Sequence, residues 1–375
     1  MKFFSLTLMA LSFVACKNER ATSFFMPSKE HKSICITSVK VNKISLDSTI
    51  QTSLTGNVGL RNNGIYFMDY LFSTYYQFDT LGNFQEQALG HGRGPKETTL
   101  GLIVGHVFTE DDQLVLIGPT DDIHIHDSNF SRLPGYRVQR KPYQEGQKME
   151  YDQFETYSFG YPLICRTHGK SVYTNNSAEF ESFNYFETPD IFVEQFRCLT
   201  EQCIFEKRTG RLLGKGMPEM FKGTSDKNYI FSTVLYDIDK FGCFYVTFMA
   251  DPHIYKFDED FNLISSFGLE GNQMDKEYLS IKDPKQVRVE GIAQYSTKGY
   301  YTYLEYIEEL GYLLRSYQRG GDALFDGLQI YQNDVLIGDV DVPKGFKPMG
   351  YMKPYIYSHV ISDKEKLSLY KIKIQ

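Results

Sequence analysis

The chain has 375 residues, a formal charge of −7 and no tryptophan. Acid is in excess and no long basic run occurs, so the positive stripe that a polyanion binder needs is missing and nucleic acid is excluded as a partner. Tyr (28) and Phe (29) raise the aromatic fraction to 15%, and because these residues favour pleated, half-buried surfaces the composition is that of a strand-rich protein.

In chain order, Met1-Lys2 is followed by an apolar run from Phe3 to Ala15. One cation and a short apolar stretch predict a signal peptide over residues 1–15. The run is too short to cross a bilayer, which takes about 20 apolar residues. Val14-Ala15-Cys16, with polar Lys17-Asn18-Glu19-Arg20 after it, resembles a lipobox, although Phe13 stands where Leu is usual. The resemblance implies a lipid on Cys16, which cleavage turns into the new N-terminus. Several acyl chains on one residue anchor stably, whereas one alone binds marginally. The expected location is the cell envelope or outer membrane, lipid-anchored and facing either the periplasm or the exterior.

Beyond the tether an internal repeat emerges. Gly64–Asp69, Tyr75–Asp79, Leu81–Phe84 and Leu89-Gly90 make one unit; Gln113–Ile117, Ile123–Asp127 and Asn129-Phe130 a second; Gly242–Val246, Ile254–Asp258, Asn262-Leu263 and Phe267-Gly268 a third. Each reads as an apolar strand, a polar turn, a second strand closing on an acid, another turn, and a third strand ending near glycine. Asp79 and Asp127 lie 48 residues apart, close to the roughly 40–50 residues of propeller blades. Weaker copies cover Cys203–Gly214, Gly299–Leu314, Leu328–Val340 and Tyr355–Ile374.

The fold class expected is all-β: a β-propeller of four-stranded antiparallel blades, six by preference and seven if compact, since stacked meanders cover one another's faces. Residues 16–40 would be tether and first strand, and 41–375 a single propeller domain with an insertion around 143–196. One short helix is expected over Met274–Gln286. Closure is expected to pair an N-terminal strand, Ile34–Val39, with Leu367–Ile374. Besides Cys16 there are Cys35, Cys165, Cys198, Cys203 and Cys243, an odd set that cannot all pair. Cys198 and Cys203 are close enough to bridge across a turn; buried free thiols are the simpler reading.

The absence of Trp removes WD, YWTD and Asp-box propellers, and kelch repeats need more double glycines than Gly320-Gly321. What remains is Leu89-Gly90-His91-Gly92-Arg93-Gly94-Pro95-Lys96-Glu97. A strand ending in Leu-Gly, a glycine-rich turn and Gly-Pro-x-Glu resemble the TolB-like six-bladed β-propeller lipoproteins of Bacteroides-type gram-negative bacteria. The resemblance implies a fold and a location, and it brings no catalytic residue.

Candidate sites follow. The Gly90–Gly94 stretch lacks the helix that a phosphate cradle needs, but Arg93 and Lys96 could line a pocket mouth. Asp122, His124 and His126 alternate and so share one strand face, and two such imidazoles are weak candidates for a metal; however, they fall where the other units carry Tyr76, Tyr255, Phe78 and Phe257, which reads as packing. Asp79, Asp127, Glu206 and Asp258 recur at one position and read as turn caps. The insertion carries Tyr151, Tyr157, Tyr161 and Tyr173 among polar neighbours, suited to binding a sugar, a peptide or a protein.

The leading expectation is a non-enzymatic binding or scaffolding propeller for an envelope protein, a peptide or a glycan, with no catalytic residue and no cofactor. The alternative is a carbohydrate-active enzyme, a polysaccharide lyase or glycoside hydrolase, with its site in the central funnel. A weaker option is a sensor. Acids converging with Arg or Tyr in the funnel would favour the enzyme; a broad aromatic surface would favour binding.

Overall fold

The computed structural model describes residues 31–120, 122–137, 155–156, 163–179, 191–197, 210–212, 218–221, 231, 233–279, 286–363 and 366–375. Cys16, Tyr151, Tyr157, Tyr161, Cys198, Cys203 and Glu206 lie outside them.

The fold is an all-β propeller of antiparallel, four-stranded blades. Sheet I is a meander of Gly56–Arg61, Gly64–Asp69, Thr74–Phe78 and Phe84–Leu89. Sheet II follows with Gly105–Phe108, Leu114–Ile117, Asp122–His126 and Arg132–Arg137. Sheet III holds Glu155–Thr156, Cys165–His168, Ser171–Glu179, Ile191–Arg197 and Gly210–Leu212. Sheet IV is Val234–Ile238, Phe244–Phe248, Ile254–Phe257 and Leu263–Phe267. Sheet V is Tyr300–Ile307, Tyr312–Gln318, Asp326–Gln332 and Val335–Val342, with Lys32–Ile36 added outside it. Sheet VI is Pro348–Met352, Tyr355–Ser358 and Lys366–Ile374, completed by Val39–Ser45. Sheets I, II, IV, V and VI are five blades described in main chain and side chain, against the six or seven that spacing led us to expect. In sheet III only the side chains up to Asn175 are described, and this is the stretch where the repeat in the sequence fades.

The second strands explain the run of apolar residues that marks each unit. Gly64–Asp69, Leu114–Ile117 and Phe244–Phe248 are buried at every position, because each sheet is covered on both faces by its neighbours. The core is accordingly a set of wedges between sheets. Tyr66, Met68 and Tyr75 meet Leu114 and Leu116 between I and II. Ile123 and Ile125 meet Leu163 and Val172 between II and III. Leu328 and Ile330 meet Ile356 and Ile372 between V and VI. Val58 and Phe67 meet Tyr357 and Leu369 between I and VI.

The acids that recur at the strand ends are turn caps. Asp79 Oδ1 accepts N–H bonds from Leu81 (2.8 Å) and Asn83 (2.9 Å). Asp127 does the same for Asn129 and Ser131, and Asp258 for Asp260 and Asn262. Asp239 repeats the device one turn earlier in its sheet.

Two expectations need correction. The strand that closes sheet VI is Val39–Ser45, from Val39 opposite Ile374 to Ser45 opposite Ser368, whereas Lys32–Ile36 runs parallel to Val335–Val342. Thr37-Ser38 breaks the apolar run into two strands that serve different sheets. The helix is Val287–Thr297, later than Met274–Gln286. In the sequence, Pro284 falls inside the expected span, and proline is disfavoured in a helix interior. Met274–Leu279 is instead an irregular segment clamped by the buried Gln294, whose amide bonds both N–H and C=O of Leu279.

Candidate functional site

The first strands of neighbouring sheets abut. Tyr300–Ile307 packs between Val234–Ile238 and Pro348–Met352, Pro348–Met352 also meets Gly56–Arg61, and Cys165–His168 meets both Gly105–Phe108 and Val234–Ile238. These strands bring polar side chains from several sheets together. Asn57, His106 and Arg166 are each the second residue of their strands, Gly56–Arg61, Gly105–Phe108 and Cys165–His168. Asp237, Tyr303 and Glu305 come from the first strands of sheets IV and V.

Arg166 is the hub. Its Nε donates to Asp237 Oδ1 at 2.5 Å, and its Nη2 to Glu305 Oε2 at 2.7 Å and Tyr303 OH at 3.2 Å. Nη1 reaches the carbonyl of Cys165 (3.3 Å), and Nη2, shared among three acceptors, also lies 3.4 Å from that of Leu304. Asp237 Oδ2 also accepts the Tyr306 N–H at 2.6 Å, which ties sheet IV to sheet V. The three charged side chains are only 19%, 7% and 12% exposed for Arg166, Asp237 and Glu305. One guanidinium thus serves two carboxylates in a low-dielectric setting. Burial, reinforced by the neighbouring Asp237 charge, pushes the Glu305 carboxyl well above the usual carboxylate range against the pull of Arg166.

Two histidines complete the constellation. His106 is held between Tyr70 OH (2.9 Å from Nδ1) and Tyr66 OH (3.0 Å from Nε2), and burial depresses its pKa to about 3, so the ring is neutral. His359 follows the strand Tyr355–Ser358; its Nδ1 meets Asn57 Oδ1 at 2.7 Å and its ring stands edge-on to Tyr303 at 4.6 Å. Burial, with Arg166, Lys347 and His106 nearby, holds it well below the ordinary histidine range.

Topology places this constellation relative to the N-terminus. Lys32 pairs with Leu336 and Ile36 with Gly338, so the chain enters at the start of Val335–Val342. Lys347 lies beyond the end of that strand, and its carbonyl accepts the His359 N–H at 2.8 Å. Lys347 and His359 therefore sit on the rim opposite the one where the N-terminal segment joins.

The residues anticipated from sequence are found elsewhere. Arg93 and Lys96 are exposed in the turn after Phe84–Leu89, on the same rim as Lys347. The glycine loop around them closes on itself: Gly94 N–H donates to Glu97 Oε2 at 2.7 Å, Gly92 N–H to Thr98 O at 2.9 Å. A Cβ on Gly92 would fall 2.0 Å from Glu97 Oε2, so glycine is there to admit that carboxylate. Tyr173 is buried and edge-on to Phe244 at 5.2 Å, which makes it core and not the exposed binding surface expected of it. His124 Nδ1 meets Thr98 Oγ1 at 2.8 Å, and His126 is fully buried with Nε2 3.5 Å from Glu97 O. Asp122 pairs with Arg137 at 2.6 Å. Among the described residues no group of three His, Cys, Asp or Glu side chains converges as metal ligands. Cys35, Cys165 and Cys243 are free thiols, with Cys165 buried and pushed up to about 12. No helix of the described residues is long and apolar enough to cross a membrane.

Arg166, Asp237, Glu305, Lys347 and His359 were not singled out by sequence reasoning. The repeat in the sequence covers the second and third strands of its units, and the first strands that carry Arg166, Asp237 and Glu305 lie outside it.

No family model and no curated protein matches the chain. Solved structures do share its fold. A member of the DUF4221 family from Bacteroides vulgatus superposes with a TM-score of 0.63 at 11% identity, covering 91% of this chain and 98% of its own. A protein from Bacteroides fragilis described as exported gives 0.53 at 14%, covering 93% and 99%. Virginiamycin B lyase from Staphylococcus aureus lies further off, with 0.44 at 8% over 90% and 100%, a distance that carries nothing about activity. The chain is thus similar in fold to propeller proteins of Bacteroides, one of them described as exported.

Proposed function

We propose that this protein is an exported lipoprotein of the cell envelope, anchored through Cys16, that acts as a binding propeller for a glycan, a peptide or another envelope protein. We read sheet III as a sixth blade of a TolB-like propeller, because the apolar wedges continue through it from sheet II to sheet IV. The observation that carries the binding reading is the engagement of both carboxylates by Arg166. Its Nε holds Asp237 and its Nη2 holds Glu305 and Tyr303, so the two acids are tied up in a clasp between sheets III, IV and V. A glycosidase needs its paired carboxylates free to face the substrate. The rim carrying Arg93, Lys96, Lys347 and His359 points away from the N-terminal junction, so a tethered chain presents it to partners.

The second reading is the carbohydrate-active enzyme, and one observation favours it. Glu305 is pushed upward beside Asp237, and two carboxyls with environments that differ are the pattern of an acid paired with a base. The two readings separate by assay of the mature chain, starting after Cys16, against polysaccharide and peptide fractions of the envelope. Binding predicts retention with intact ligand. Release of reducing ends or unsaturated products, lost in Glu305→Gln, would establish the enzyme. For the anchor, Cys16→Ala should move the protein from the membrane to the soluble fraction.

A further inference from the structure

Between residues 46–54 and the start of Lys366–Ile374 lies a cavity of about 180 Å³. Like the residues around Lys347, this connection leads into the start of a first strand, so it belongs to the same rim. Buried Leu46 and Leu367 line it and are tied together, the Leu46 N–H donating to the Leu367 carbonyl at 2.9 Å. Half-buried Ile50 and exposed Leu54 add apolar walls, while exposed Lys366 and partly exposed Asp47 bring one charge of each sign. Asp47 accepts from the Thr49 N–H and hydroxyl at 2.9 and 2.8 Å. Neither Asp47 nor Lys366 makes an ion pair among the described residues.

Leu54 is held at a cost. Its φ is +59°, in the left-handed region that a bulky side chain rarely enters. Phe130 and Phe261 share that conformation but are buried in return, at 6% exposed each, whereas Leu54 is 37% exposed. The buried Asp69 carboxylate fixes the backbone around it, accepting from the Ser53 N–H at 2.6 Å and the Ser53 hydroxyl at 2.5 Å. The same carboxylate takes the N–H groups of Leu71 and Phe72, whose side chains are 50% and 42% exposed. One buried acid therefore props three exposed apolar side chains at an open cavity. Backbone strain of this kind persists only where the surroundings impose it, and it gathers at binding sites.

Volume and lining select the occupant. Small-molecule sites run to about 300–1,000 Å³, so this cavity takes one apolar side chain and not a whole ligand. Among the described residues no aromatic ring lines it, which leaves a sugar without a face to stack on. The unpaired charges of Asp47 and Lys366 match neighbours of opposite sign beside the inserted side chain. We propose that this cavity docks a polypeptide partner, which inserts an apolar side chain against Leu46, Ile50 and Leu367 and sets an acid near Lys366 and a base near Asp47. Leu54, Leu71 and Phe72 shield that anchor from water, as the surround of a hot spot does. The inference rests on the binding reading and assigns this part of the rim to a polypeptide.

The test is methyl NMR of the mature chain labelled at Ile and Leu, titrated with acetyl-Lys-Leu-Glu-amide, acetyl-Glu-Leu-Lys-amide and acetyl-Lys-Ser-Glu-amide. At least one leucine peptide should shift the Ile50 and Leu367 methyls saturably, and the serine peptide should bind tenfold or more weakly. Leu54→Gly deletes a wall while suiting the left-handed backbone; it should unfold no earlier than wild type yet bind the peptide fivefold or more weakly. Lys366→Glu should weaken binding at least threefold at low salt, where exposed charges are least screened. No saturable shift with either leucine peptide would overturn the proposal, as would affinity unchanged in Leu54→Gly. So would methyl glucoside moving the same methyls at lower concentration than the peptides, or shifts that grow with protein concentration alone, which would make a second copy the occupant. If the peptides fail while wild type and Leu54→Gly retain envelope material equally, the site falls and the binding reading stands. If wild type retains no envelope material, the binding reading falls too.

Discussion

Replacing Arg166 with Met is the sharpest perturbation of the cluster it holds together. The side chain is close in length, so the change removes charge and donors while leaving most of the volume. Asp237 and Glu305 then face each other with no counter-ion, each under 15% exposed in its side chain. Removing one partner of a buried ion pair costs about 3–5 kcal/mol, because the other charge stays buried and unpaired. The cost has a pH signature. Without Arg166 the Glu305 carboxyl, already raised by burial, loses the charge that opposes the shift, and a raised acid is destabilised above its unfolded pKa and recovers as pH falls through the folded one. The gap between wild type and Arg166→Met should therefore be largest near pH 7 and shrink towards pH 4. Urea unfolding followed by tyrosine fluorescence at both pH values reads it directly. A gap under about 1 kcal/mol at neutral pH, or one that stays constant on acidification, would refute the description of Arg166 as an inter-sheet clasp.

Other consequences can be measured in the same way. His106 has a folded pKa of about 3 against roughly 6.5 when unfolded. The unfolded chain binds the proton first, so stability is full above pH 6.5 and falls below it, by about 2.7 kcal/mol at pH 4.5 for this group; His106→Gln, which does not titrate, should flatten that part of the pH profile, and an unchanged profile would count against a buried neutral ring. Asp79→Ala removes the acceptor for Leu81 and Asn83 and should cost about 1 kcal/mol, visible as a lower unfolding midpoint with the secondary structure intact. His126→Phe places the residue of the equivalent positions Phe78 and Phe257 into a buried site; a midpoint within about 1.5 kcal/mol of wild type is expected, and a larger loss together with release of a bound metal would restore the ligand reading.

Much of the fold was legible because propeller blades repeat one packing problem. Second strands covered on both faces read as unbroken apolar runs, as in Ile65–Met68 and Leu114–Ile117, and the third strands ended on acids that cap the same turn each time. The pairing at closure was legible only in part. Lys32–Ile36 and Val39–Ser45 are adjacent in sequence but add to different sheets, and nothing local in two short strands says which edge each will meet. The Arg166 cluster was hidden for a related reason. Arg166, Asp237 and Glu305 lie about 70 residues apart and each looks like an ordinary polar residue of a strand end; only the ring of first strands brings them within hydrogen-bond reach. Tyr173 misled in the opposite sense, because an aromatic among polar neighbours in sequence can still face a wedge between sheets.

A binding propeller holds its ligand, whereas an enzyme transforms it. The direct measurement is incubation of the mature chain with envelope polysaccharide, with retention and product formation read from the same sample. Saturable retention with the polysaccharide recovered at its original length is the predicted result. Shortened or unsaturated chains that accumulate with time, and vanish in Glu305→Gln, would contradict it.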